Sequence, residues 1–232
     1  MRRFFETSSL FVLNGLIILS VIVFSLFGNQ AVTTMVPESP IHTIIIDAGH
    51  GGVDGGAVSC TGVYESQINL EIALRLDDLF HLLGAKTVMI RTSDISVYTE
   101  GETIAAKKVS DIKQRVQIAN TTPYAIYLSI HQNNFADPRY WGSQIFYNGQ
   151  SGSQEFASQM QTNLKNNLQQ QNNRKIKKSS GVYLMEHMNC TGILIECGFL
   201  SNPSEEELLR NSEYQKKLCC VVAATTCQYV NT

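Results

Sequence analysis

The chain has 232 residues, room for one full-sized domain of about 100 to 200 residues and a short appendage. At 44% hydrophobic and 16% charged, against averages of roughly 45–50% and 25%, it is apolar enough to fold and is not intrinsically disordered. A net charge of −2 argues against a nucleic-acid-binding surface, and six cysteines are too few for a disulfide scaffold of this length. The missing charge is concentrated at the start of the chain, where Thr7 to Pro37 contains no charged residue. An apolar stretch of about 20 residues can cross a bilayer, so residues 9–28 are expected to form a transmembrane anchor or signal segment. Arg2 and Arg3 place residues 1–8 on the cytoplasmic side and everything later outside the cytoplasmic membrane. No clean pair of small residues marks a cleavage site, which favours an uncleaved anchor. Residues 29–40, with Pro37 and Pro40, read as a linker to a folded domain at 41–232.

Strand-like and helix-like stretches then alternate. Thr43–Asp47 is a short β-branched run, typical of a strand buried on both faces. In the helix expected at Ser66–Leu83, Ile68, Ile72, Leu76, Leu79 and Leu83 recur at helical spacing, and Gly84 follows as a stop. Lys86–Arg91 is the next strand. Helices are expected at Asp111–Asn120, Ser153–Leu168 and Ser204–Val230, and strands at Tyr124–Ile130, Gly142–Tyr147 and Ile193–Glu196. This alternation implies a single α/β domain around a mostly parallel twisted sheet of about six strands flanked by helices and preceded by the membrane segment. Chemistry in such a sheet belongs at the carboxyl ends of its strands.

Two histidines stand at such ends, His50 in Asp47-Ala48-Gly49-His50-Gly51-Gly52 and His131 in Ser129-Ile130-His131-Gln132-Asn133. The glycines match no phosphate-binding loop and have no lysine beside them, so they are read as allowing the backbone to turn a ring into a crowded site. Two histidines with carboxylates after them point to a metal, and imidazole with carboxylate suits zinc, which keeps three protein ligands at a catalytic site. Glu65 immediately precedes the first helix, and spacing alone leaves a ligand and a favourable charge on the helix dipole equally open. Glu196 ends the apolar strand Ile193-Leu194-Ile195, where a carboxylate is costly unless it is paired or functional.

Ile-Ile-Asp-Ala-Gly-His-Gly-Gly-Val-Asp-Gly-Gly-Ala, Tyr64-Glu65, Ser-Ile-His-Gln-Asn and Ile-Glu-Cys-Gly-Phe-Leu-Ser-Asn-Pro together resemble, in order, the zinc-dependent N-acetylmuramoyl-L-alanine amidases of the Amidase_3 family. The resemblance runs from about Ile41 to Val230. Within the family the chain looks most like the CwlD-type amidases of endospore formers, which share its small size, its N-terminal segment and the Pro138-Arg139-Tyr140-Trp141 stretch. The resemblance implies one zinc ion held by His50, Glu65 and His131, with Glu196 as the catalytic glutamate. It implies hydrolysis of the amide between the lactyl group of N-acetylmuramic acid and L-alanine, in spore cortex maturation with muramic δ-lactam formation. Peptidoglycan is the implied partner, with an accessory activating protein left open and no nucleic acid. Ala48, Ser66 and Gln132 depart from the family pattern without removing a ligand. The alternatives are a zinc peptidase cutting within the stem peptide and a catalytically silent wall-binding or activator protein.

Weaker expectations attach to other residues. Asp47 and Asp54 could orient a ligand imidazole or cap the glycine loop. Asn133 could help stabilise the tetrahedral oxyanion, and Arg91 and Arg115 read as a structural network beside the groove. Arg139, Tyr140 and Trp141 form an aromatic-basic patch suited to a sugar ring or a stem carboxylate, or to a partner. His42, His81 and His187 have no ligand-like setting. Cys197 beside Glu196 raises a cysteine-hydrolase alternative, whereas Cys219 and Cys220 read as small buried hydrophobes. Without Arg2, Arg3 and Glu6 the chain keeps 16 of its 18 basic and 19 of its 20 acidic residues, so substrate recognition is expected from the groove rather than from bulk charge.

Overall fold

The structure, a computed structural model, describes residues 41–231. Strands β1 (Thr43–Ala48), β2 (Lys86–Met89), β3 (Ala125–Asn133), β4 (Gln144–Tyr147), β5 (Lys177–Lys178) and β6 (Thr191–Phe199) form one sheet in the order β2-β1-β3-β6-β4-β5. The helices are α1 (Glu65–Leu82), α2 (Ile104–Thr121), α3 (Ser153–Asn167), α4 (Tyr183–His187), α5 (Pro203–Arg210) and α6 (Ser212–Val230).

The isoleucine run of β1 is buried on both sides. Ile44 and Ile46 pack with Ile68, Ile72, Leu76 and Phe80 of α1 and with Leu218 and Val222 of α6. Ile45 packs on the opposite face with Ala119 of α2, Tyr127 of β3 and Leu184 and Met185 of α4. Strict alternation along β1 thus feeds two cores, and each buried isoleucine contributes about 1.5–3 kcal/mol. The three-layer arrangement follows, with α1, α3 and α6 covering one face and α2 and α4 the other.

The six-stranded sheet flanked by helices is mostly parallel, as expected: β2, β1, β3 and β6 are mutually parallel and β4 is parallel to β5, while β4 pairs antiparallel with β6. A parallel return needs a crossover of a dozen or more residues, usually a helix, and the connection 134–143 has none, so the chain comes back along β6 in the opposite sense. The structure corrects other expectations. The expected helix Ser204–Val230 is two helices broken at Asn211, whose side chain accepts hydrogen bonds from the Glu213 and Tyr214 backbone N–H groups and caps α6. β5 and the short α4 were not expected. The expected membrane span is corrected as part of the fold: no helix among the described residues is long and apolar enough to cross a membrane. Residues 9–28, to which that span was assigned, lie outside the described residues.

Two buried guanidinium groups hold the turn after β1. Arg115 of α2 pairs with Asp47 and with Asp111 Oδ2 (2.6 Å), and donates to the carbonyls of Ala48 (3.1 Å) and His50 (2.8 Å). Arg91 donates to the carbonyls of Ala48 (2.8 Å), Gly49 (3.0 Å) and Ser66 (2.8 Å). The chain leaving β1 therefore has its buried carbonyls satisfied by side chains where no neighbouring strand continues. Burial alone would raise the Asp47 carboxyl, but Arg115, His131 and the Ser129 hydroxyl (2.8 Å) hold it below the ordinary value.

Since folding lowers this pKa from 3.8, the stability it contributes is complete above that value and is lost as pH falls through the folded one. Asp47→Asn leaves Arg115 with an uncompensated buried charge and should lower the free energy of urea unfolding at neutral pH by about 3 kcal/mol. The wild-type advantage should shrink in acid; a difference that stays constant from about pH 6 to pH 2 contradicts this account.

Candidate active site at the ends of β1, β3 and β6

His50, Glu65, His131 and Glu196 converge on one side of the sheet. His50 lies just beyond β1, Glu65 is the first residue of α1, and His131 and Glu196 are paired across the β3–β6 ladder. Paired residues on adjacent strands share a face, so Glu196 and His131 rise together into the same groove.

Glu65 bridges the two imidazoles. Its Oε2 lies 3.2 Å from His50 Nε2 and its Oε1 lies 2.9 Å from His131 Nδ1, with the rings edge-on at 4.9 Å between centroids. Oε1 also accepts from the Gln132 N–H (3.1 Å) and Asn69 Nδ2 (3.3 Å), and Oε2 from the Ala57 N–H (3.0 Å). None of these partners is a free N–H of its own helix, so the carboxylate does not act as a helix cap. On the outer side of His50, Nδ1 bonds Asp54 Oδ2 (2.9 Å), and Asp54 Oδ1 pairs with Lys108 Nζ (2.7 Å).

The glycines make this closeness possible. A Cβ on Gly49 would overlap the His131 ring. At Gly56, with φ +70°, it would stand 2.7 Å from both Glu65 Oε2 and His50 Cδ2. His50 itself has φ 61°, a left-handed conformation a non-glycine residue adopts at a cost of order 1–3 kcal/mol. Arg115, on the His50 carbonyl, and Asp54, on its ring, hold it there.

Burial would raise the Glu65 carboxyl, but His131 and His50 hold it well below the carboxylate range. Burial disfavours a charged His50, yet Glu65 and Asp54 raise it to about 9. Glu196 has no such neighbours in contact. Burial pushes its carboxyl up to about 7 against the pull of His131, and its Oε2 is buried with no hydrogen-bond partner among the described residues.

The donor set fits a zinc ion. His50, Glu65 and His131 offer ligand atoms that all lie within 4.8 Å of one another, from two imidazoles and one carboxylate. Asp54 fixes which His50 nitrogen faces inward. The unpartnered Glu196 oxygen opens on the same cavity of about 290 Å³, whose walls are Val53, Lys107, Lys108 and Ile112 on one side and Val182, Tyr183 and Leu184 on the other.

The weaker expectations separate. Asp54 both orients His50 and caps the loop at the Gly56 N–H (3.3 Å). Asp47 and Arg115 stand behind the loop as a paired network that reaches the cavity wall. Asn133 is not part of that wall, and its carbonyl accepts from the Leu200 N–H (2.8 Å). Arg139, Tyr140 and Trp141 line a separate shallow depression with Asn172 and Arg174, where Arg139 is paired with Asp137. Cys197 points into the core opposite Glu196, where burial pushes its thiol far above the ordinary value, so no thiolate nucleophile is available. Cys219 is buried as expected, but Cys220 is exposed. His42, His81 and His187 lie outside the groove.

Sequence reading missed Asn69, which holds the Gly49 carbonyl (3.1 Å) and reaches Glu65, and Gln132, whose amide bonds Asn69 (3.1 Å). A buried asparagine four residues after Glu65, inside the apolar stripe of α1, was the available signal. Lys107, Lys108 and Tyr183 carried none.

The sequence pattern of the N-acetylmuramoyl-L-alanine amidase family, Amidase_3, matches residues 44–225. The germination-specific N-acetylmuramoyl-L-alanine amidase of Bacillus subtilis is 40% identical over 177 residues, covering 75% of this chain and 74% of that protein. The CwlD amidase of Clostridioides difficile, solved in complex with the GerS lipoprotein, superposes with a TM-score of 0.78 at 36% identity, over 82% of this chain and 98% of that one. An N-acetylmuramoyl-L-alanine amidase from Clostridium difficile 630 gives a TM-score of 0.73 at 29% identity, over 82% and 97% of the two chains. With the match spanning nearly all of the described domain, the chain belongs to the Amidase_3 family and is an N-acetylmuramoyl-L-alanine amidase.

Proposed function

We propose that the chain uses one zinc ion, held by His50, Glu65 and His131, and the Glu196 carboxylate to cut the amide between the lactyl group of muramic acid and L-alanine. The observation that carries this is the buried, unpartnered Glu196 Oε2 beside a cluster of two imidazoles and one carboxylate. A zinc ion there supplies Lewis acidity and positive charge where negative charge develops on the carbonyl oxygen.

The chain's own residues do the rest. Glu196 takes a proton from the attacking water and returns it to the departing L-alanine nitrogen as the C–O bond forms and the C–N bond breaks. Burial raises the Glu196 carboxyl above its ordinary value, the direction that suits a group taking up a proton and giving it back. Glu65 and Asp54 keep the two rings aimed.

The 40% identity to a germination-specific relative supports action outside the cytoplasm on spore cortex peptidoglycan, freeing muramic acid for δ-lactam formation. The Clostridioides difficile relative is in complex with the GerS lipoprotein, which supports an accessory protein for this chain as well.

Glu196→Gln should keep zinc and lower kcat/KM on muropeptides by ~10³-fold. Near-normal release of stem peptide by this variant would sink the assignment. Asp54→Asn should weaken zinc affinity by about 10- to 100-fold with activity recovered at high zinc; unchanged affinity in a competition assay with a chelating dye refutes its orienting role.

A further inference from the structure

Three cations stand along the α2 wall of the catalytic groove: Lys107, Lys108 and Arg115. Arg115 is engaged by Asp47 and Asp111, and Lys108 by Asp54 at 2.7 Å. Lys107 has no carboxylate within ion-pair distance among the described residues. Its ammonium instead sits over the Tyr98 ring, 5.0 Å from the centroid, and its backbone N–H joins the first turn of α2 through the Thr103 carbonyl (2.9 Å). A ring face holds a cation in place without cancelling its charge.

The rest of the groove says what such a cation would meet. The facing wall, Val182, Tyr183 and Leu184, is largely apolar, and Asp47, Asp54 and Asp111 already have basic partners. The remaining carboxylate of the lining, Glu196, is assigned to the proton transfer. With a net charge of −2, the protein offers no bulk attraction to an anionic polymer, so any preference for acidic substrate must be local.

We infer that Lys107 is a specificity-determining residue that receives a free carboxylate of the stem peptide as the peptide lies between α2 and the Val182–Leu184 wall. This rests on the groove being the site of amide hydrolysis. The carboxylate accepts hydrogen bonds from the ammonium while Tyr98 keeps the side chain directed along the groove. Because the contact is remote from the scissile bond and is made equally in ground and transition states, it acts on KM rather than kcat.

The test compares zinc-loaded protein on a muropeptide with free stem carboxylates and on the same muropeptide with those carboxylates amidated. The wild type should show a KM about tenfold lower for the free-acid substrate, the size of one charge-assisted hydrogen bond at a partly exposed site. Lys107→Met should erase the difference, Lys107→Arg should keep most of it, and Lys113→Met, on the same helix but outside the groove, should leave it intact. Discrimination that survives in Lys107→Met, or is missing from the wild type while both substrates are cut, overturns the inference. Failure of the wild type to cut either substrate overturns it together with the amidase reading, and is recognised by the absence of any product.

Discussion

One buried carboxylate ties the domain together at its functional end. Glu65 accepts from the Ala57 and Gln132 N–H groups and from Asn69, and meets both His50 and His131. These partners come from the glycine loop, the end of β3 and the second turn of α1, elements far apart in sequence. An ionised carboxylate is tolerated in so enclosed a position only when its oxygens are fully engaged. The loop after β1, the start of α1 and the register of β3 are therefore coupled: a shift in any one strands a charge.

The remaining electrostatics are organised in shells around that centre. Asp54 stands behind His50 and is answered by Lys108, and Asp47 stands behind the loop and is answered by Arg115. Asp54 thereby holds the His50 ring from its outer side, and Arg115 holds the loop that carries it, so this imidazole stays aimed without relying on solvent. Glu196 is the exception, left without a partner by the same packing that satisfies everything else. Its raised carboxyl and the left-handed His50 are two places where local stability yields to chemistry.

Much of this was legible in the residues, and what was not has identifiable causes. β1 and α1 stood out because an isoleucine run and an i, i+4 stripe are strong local signals, and three of the four motifs fell toward the carboxyl ends of β1, β3 and β6, where an α/β sheet does its chemistry, with Tyr64-Glu65 at the start of α1. Spacing left Glu65 even between ligand and dipole because its contacts are not local: its oxygens turn toward His50 and His131. The antiparallel return of β4 was missed because alternation suggested crossovers, whereas the helix-free connection 134–143 governs direction. The break at Asn211 was hidden by continuous apolar periodicity, although asparagine is a good cap. The aromatic-basic patch of Arg139 and Trp141 lies in the β3–β4 connection and forms its own depression with Asn172 and Arg174, a pairing distant in sequence. Nothing local marks Lys107; its position depends on how α2 docks beside the loop.

The central claim is that Glu65, between the two histidines, makes a zinc site rather than a metal-free hydrogen-bond cluster. Zinc content of the purified protein after dialysis against buffered zinc, measured by atomic emission for the wild type and for Glu65→Gln, tests it most directly. The account predicts one zinc per folded wild-type chain and a large loss in the variant with the fold retained by circular dichroism. A wild type that binds no zinc under these conditions, or a Glu65→Gln protein that binds it equally well, contradicts the account.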